Sequence, residues 1–192
     1  VKLIDQFNKV SSWIATLIIR EDTPKKRGQM IKHWIDVADE CRQLANLNGV
    51  NTVVSALNNS GVHRLKKSWD CVSQKRLKVF KELTDLVSMT ASYRNLRQAI
   101  QQISPPCVPY IGVYLTDLTF IEDGNKDVTK LNLINFAKRR QIARVIMNIR
   151  TLQQQPYNFI VVPVLHSKLT SCEGSSDDST LYKQSLVIEP RE

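Results

Sequence analysis

Hydrophobic residues recur three and four positions apart along most of the chain, which is the spacing of one face of an α-helix. Over residues 1–20 the set is Leu3, Ile4, Phe7, Val10, Ile14, Leu17 and Ile18, predicting an amphipathic helix. Asp22-Thr23-Pro24 interrupts it, with Thr23 placed as an N-cap and Pro24 at the first helical position, where its missing N–H costs nothing. The second helix, about 24–46, turns Met30, Ile31, Trp34, Val37, Ala38, Cys41 and Ala45 inward. Its polar side is Lys25, Lys26, Arg27, Lys32 and Asp36, expected in water, and Asn46 to Gly49 is expected to end it. Val50 to Leu57 is a short apolar element closed by the turn signal Asn58-Asn59-Ser60-Gly61. Helix resumes over 62–69, Ser73 caps a helix over 74–87, and a short helix over 92–103 carries Tyr93, Leu96, Ile100 and Ile103 toward the core before Pro105 stops it. A polar connector at 126–131 precedes a long helix over about 132–155. Residues 159–169 are apolar and broken by Pro163, and 171–179 read as a mobile polar loop. Residues 181–191 return with Leu181, Leu186 and Ile188 placed to dock on the core. The sum is an all-α fold in which strands are minor.

One stretch resists this reading. Residues 105–125 open with three prolines in five residues, run almost without polar interruption, and close on Glu122-Asp123-Gly124-Asn125. Prolines stiffen the entry, while glycine and asparagine tolerate the left-handed backbone that ends an element sharply. The β-branched and aromatic content suits a buried strand, yet Ile111, Leu115, Leu118 and Glu122 also fall at helical spacing. Two roles follow from the pattern: a buried core element, or a wedge held at its proline end and presenting Thr119 and Asp123 to a partner.

Charge widens the field of partners rather than narrowing it. The 27 basic residues exceed the 18 acidic ones, for a net charge of +9, which suits an acidic protein surface, nucleic acid or anionic lipid. The basic groups at 64–67 and 138–140 are read as solvated helix faces, and neither is interleaved with aromatics as a nucleic-acid site would be. Cysteines at 41, 71, 107 and 172 form no CxxC pair and only three histidines accompany them, so the expectation is reduced, largely buried thiols and no metal site. No apolar run approaches the roughly 18 residues of a membrane span, and the expected location is cytosolic. Phosphate-loop, dinucleotide, HExxH and GxSxG patterns are all missing, as is any sign of a cofactor. The histidines are read as structural.

Four blocks carry a resemblance. PPCVPYIGVYLTDLTFIEDGN at 105–125, LINFAKRR at 133–140, LNGVNTVVSALNNSGVHRLKKSW at 47–69 and LYKQSLVIEPR at 181–191 closely resemble the catalytic domain of Ras-family guanine nucleotide exchange factors, in the family's order and over nearly the whole chain. The resemblance implies one all-α domain over 1–192 with a protruding helical hairpin at about 108–155, and a family domain that begins upstream of Val1. It implies that 108–123 is a helix inserted into a Ras-like small GTPase of Ras, Rap or Ral type and braced by 132–155. Thr119 and Asp123 match the two intruding side chains, where well-known members carry leucine and glutamate. Asn8, Asn58, Ser60, Arg64 and Tyr93 match polar positions of the GTPase-binding face, and Tyr110 matches an aromatic at the wedge's base. No nucleic acid, metal or cofactor is implied, and recruitment to membranes would come from other domains. The rivals are a GTPase-binding scaffold with little exchange activity and a basic helical nucleic-acid-binding domain.

Overall fold

The structure, a computed structural model, describes residues 2–174 and 177–191. Among them the chain forms eleven α-helices and no strand beyond two isolated bridges: α1 (Lys2–Ile19), α2 (Pro24–Gln43), α3 (Leu47–Leu57), α4 (Ser60–His63), α5 (Lys66–Trp69), α6 (Gln74–Leu86), α7 (Thr90–Gln102), α8 (Ile111–Gly124), α9 (Phe136–Leu152), α10 (Pro163–Thr170) and α11 (Asp178–Ile188). The all-α expectation holds. The 171–179 loop predicted from composition includes 175–176, outside the described residues, and its last two positions already belong to α11.

The centre of the domain is α3 rather than the 105–125 stretch. Asn46, expected to end the second helix, instead caps α3 by accepting the Gly49 N–H at 2.9 Å. A helix that is apolar nearly all round must be covered on several sides. Accordingly Val50, Val53, Val54, Ala56 and Leu57 are buried, with α1 and α2 packed on them. Thr23 caps α2 as predicted, its hydroxyl accepting from Lys26 N at 3.3 Å. Gly28 lets α2 approach the α5 turn closely, since a Cβ there would lie 2.6 Å from Cys71 Cβ and 2.8 Å from the Ser68 carbonyl.

Arg27 corrects the polar face assigned to α2. It is fully buried and bonds the carboxylate of Glu189 at 3.1 Å, the Ser68 hydroxyl at 2.7 Å and the Glu21 carbonyl at 2.9 Å. Glu189 also accepts from Ser68 Oγ at 2.6 Å and Lys67 N at 3.1 Å. Burial pushes the Glu189 carboxyl up, but the hydrogen bonds from Ser68, Arg27 and Lys67 outweigh it and hold the group below the ordinary glutamate value. With Leu181 fully buried, this network straps the C-terminal helix across α2, α4 and α5.

Elsewhere the apolar stripes overstate burial. Leu3 and Ile4 at the start of α1 are exposed, as is all of α10, where Ile160, Val164 and Leu165 nearby have no cover among the described residues. Cys107 and Cys172 are buried as expected, whereas Cys71 is exposed. Among the described residues no helix is long and apolar enough to cross a membrane.

Candidate functional site

Helix α8 settles the open question about residues 105–125. Strand geometry would need a neighbouring sheet edge, and the described residues offer none; as a helix the segment satisfies its own backbone. Its inner side carries Val113 and Tyr114, both buried, and Asp117, whose two carboxylate oxygens accept from Arg97 at 2.8 and 2.7 Å. The hydrogen bond to Asp117 holds the Arg97 guanidinium above its already high ordinary value. The outer side is Leu115, Thr116, Thr119, Phe120 and Asp123, all exposed. Phe120 is 69 % exposed and Leu115 41 %, a cost in water that a partner would relieve. Sequence reasoning missed both as surface residues; Leu115 lies out of phase with Val113, Tyr114 and Asp117, whereas Phe120, seven residues on from Val113, lies near their side, and periodicity gives no signal for its exposure.

Thr119 donates its hydroxyl to the Leu115 carbonyl at 3.0 Å. Asp123 lies in the last turn of α8, where the helix dipole disfavours an anion. Among the described residues it has no hydrogen bond or ion pair from its side chain. Its neighbour Glu122 does, through Lys138.

Lys138 corrects a second polar face. It sits under the 125–135 connector with its side chain 2 % exposed, 2.5 Å from Glu122 and 3.0 Å from Asp127, and Arg139 reaches Asp127 at 2.9 Å. The loop itself supplies this cover, away from the apolar core. The Lys138 hydrogen bond and charge hold the Asp127 carboxyl below its usual range, and the Glu122 hydrogen bond, against some desolvation, raises Lys138. Asn135 caps α9 through Lys138 N at 3.2 Å, and its own N–H donates to the Asp127 carbonyl at 2.8 Å. α9 therefore begins at Phe136 rather than 132, and it packs alongside α8.

At the base of α8, Tyr110 is the pivot. Its ring lies 5.7 Å from that of Phe7 and 5.9 Å from that of Tyr93, in tilted contacts. Burial, then the neighbouring Tyr110 hydroxyl, raises the Tyr93 phenol above its usual range. Tyr93 closes three successive left-handed residues, Ala91, Ser92 and Tyr93, with φ of 49°, 56° and 62°. Each costs an L-residue about 1–2 kcal/mol, so the turn persists only because its surroundings hold it. It also displaces the regular part of α7, which begins after Tyr93 rather than at residue 92. Gly112 is required by the same cluster, because a Cβ there would meet the Tyr110 ring at 2.5–2.6 Å.

Beside these rings Asn8, Asn58 and Ser60 line a single polar cleft of about 930 Å³ between α1, the α3–α4 turn and residues 172–174. Asn58 and Ser60 are exposed at the end of α3 and the start of α4. The fold thus gathers Asn8, Asn58 and Ser60 in one cleft, and joins Tyr93 and Tyr110 to it through Phe7. Arg64 is placed differently: it is half-buried and donates to the Ser185 carbonyl at 2.6 Å, bracing α11. No group of three or more His, Cys, Asp or Glu side chains among the described residues is disposed to hold a metal.

This arrangement is that of an all-α domain with an outward-facing helix and a polar cleft. Residues 1–140 match the RasGEF domain, and the chain belongs to that family. Over its whole length it is 42 % identical to Ras guanine nucleotide exchange factor K of Dictyostelium discoideum, covering 12 % of that protein. It is 41 % identical to Ras-specific guanine nucleotide-releasing factor 1 of Mus musculus, and 41 % to Ras-specific guanine nucleotide-releasing factor 2 of Danio rerio, covering 15 % of each. The chain therefore spans a small part of the curated relatives it matches.

Proposed function

We propose that this chain is the exchange-catalysing part of a guanine nucleotide exchange factor for a Ras-like small GTPase, acting as one domain. The observation that carries this reading is the exposed side of α8 in a RasGEF-family chain: Thr119, Phe120 and an unpaired Asp123 on a helix braced by α9. In this reading α8 and α9 enter the GTPase as a hairpin, and Asp123 places a negative charge where the nucleotide's phosphates and their Mg²⁺ would sit. A carboxylate there repels phosphate and accepts hydrogen bonds from groups that otherwise hold the metal. Thr119 supplies bulk. Asn8, Asn58 and Ser60 contact the switch regions from the cleft, with Tyr93 and Tyr110 at its edge. Arg64 retains N–H donors beyond the one on Ser185 for the same face.

No covalent step is involved. A protein that binds the empty GTPase more tightly than the loaded one must weaken nucleotide binding by the same factor. Accelerating release about 10⁴-fold corresponds to roughly 5.5 kcal/mol off the barrier, within reach of one large interface. The scaffold reading draws on Thr119, whose short side chain spends its hydroxyl on its own helix. Release of fluorescent GDP from purified Ras-, Rap- and Ral-type GTPases decides between them. Exchange predicts acceleration on at least one of them, reduced about tenfold or more by Asp123→Ala, some 1.4 kcal/mol. Binding with no acceleration on any of them would establish the scaffold instead.

A further inference from the structure

Arg97 touches two elements at once. Its Nε donates to the Ser92 carbonyl at 2.7 Å, inside the left-handed turn, while its two terminal nitrogens bond Asp117 of α8 at 2.8 and 2.7 Å. A guanidinium offers its donors in a fixed plane, so holding three acceptors fixes the relative placement of the pieces that carry them. The turn it holds is one that three L-residues adopt unfavourably, and it delivers the Tyr93 ring to Tyr110 at the start of α8.

The first part of α8 is thus attached to the turn at two places, Tyr110 and Asp117, about 10 Å apart along the helix axis. Buried Val113 and Tyr114 and the packing of α9 hold α8 to the domain, but Tyr110 alone would fix its tilt against the turn at one point only. Two contacts set its tilt. At about 100° per residue, Asp117 lies about 200° around the helix from Thr119 and about 240° from Asp123, so the grip is on the side away from both.

We propose that Arg97 is the positioning residue of α8: by clamping Asp117 to the Tyr93 turn, it sets the angle at which Thr119 and Asp123 are presented. This rests on the exchange reading for its consequence, though not for its geometry. Loss of the clamp lets α8 rock about Tyr110, so a partner still finds the cleft but the tip arrives out of place. The effect falls on the maximal rate of nucleotide release rather than on affinity.

The test has two arms on the full chain, with Arg97→Met, Asp117→Asn and the double variant. In the first, amide hydrogen exchange without any GTPase is expected to speed up across 111–124 in each variant, leaving α2 and α3 unchanged. Parental protection of α8 in Arg97→Met and Asp117→Asn overturns the proposal whatever the activity. In the second, release of fluorescent GDP from a Ras-type GTPase is followed against chain concentration. The maximal rate is expected to fall about tenfold in each single variant, with the half-saturating concentration within about threefold. The double variant is expected to be no worse than either single one, because both remove the same contact. Additive losses, or losses confined to half-saturation, overturn the positioning role. If the parental chain accelerates release from no GTPase, the exchange reading fails alone, and the first arm still decides whether Arg97 holds α8.

Discussion

Asp123 and Glu122 are adjacent carboxylates with opposite fates: Lys138 takes the second and leaves the first facing water in a turn where the helix dipole works against it. An anion kept at a small local cost is a residue-scale sign of use beyond the fold. Thr119, one turn earlier, has the opposite character, with its hydroxyl folded back onto Leu115. Replacing it by leucine removes that back-bond and extends apolar bulk from the exposed side of α8. Thr119→Leu is therefore expected to raise the maximal rate of GDP release several-fold, measured with the fluorescent nucleotide; an unchanged or lower rate would show that bulk at this position does not limit displacement. Arg27 gives a residue-scale prediction about stability. Removing its partner strands a buried guanidinium, so Glu189→Ala is expected to cost about 3–5 kcal/mol in urea unfolding, whereas exchanging both residues for apolar ones of similar volume should recover much of the loss.

Elements act through their junctions. The base of α8 depends on the contact of Phe7, Tyr110 and Tyr93, and Gly112 leaves just enough room for the Tyr110 ring. Because that ring is hemmed by two others, it cannot move aside cheaply when a methyl group is added. Gly112→Ala is expected to lower nucleotide release about tenfold while far-ultraviolet circular dichroism keeps its helical form, since alanine itself suits a helix. Retention of the parental rate would mean that the Tyr110 position is not transmitted to the tip of α8. At the far end of the same helix, the 125–135 connector is pinned by Lys138, Asp127 and Asn135 rather than by apolar packing. A polar pin suits this site, because Val128, Leu131, Leu133, Ile134 and Phe136 all leave much of their surface exposed.

For the molecule as a whole, pH exposes how its charges are spent. Glu189 and Asp127 both have lowered folded-state values, so each stabilises the fold above its unfolded pKa of 4.5 or 3.8 and loses that contribution as pH falls through the folded one. Urea midpoints are expected to stay level down to about pH 5 and to drop below about 4.5, with a shallower drop in Glu189→Gln. Cys107 works at the other end. Burial raises its thiol to about 11 against 9.0, so the neutral form favours the fold below pH 9 and that advantage fades as pH climbs toward 11. A midpoint independent of pH from 3 to 6 would contradict the assignment of the C-terminal strap to an ionised Glu189.

The sequence by itself determined most of the helices and their order, while it left residues 105–125 open between strand and helix, read 62–69 as one helix and gave none at 163–170. Thr23-Pro24, the stripes of α1, α2 and α6, and the stop at Pro105 are local signals, set by backbone sterics and by spacing within a few residues. The family was also legible, from four blocks in order. Tertiary structure alone decided which faces meet water. Arg27 and Lys138 read as solvated because charge is usually left in water, yet Glu189 lies 162 residues from Arg27, and Lys138 finds Glu122 and Asp127 only once α8 and α9 lie side by side. The exposure of Phe120 and the pairing of Arg97 with Asp117 have the same origin. Periodicity is written within one element, whereas the partner that buries a side chain, or leaves it bare, comes from another.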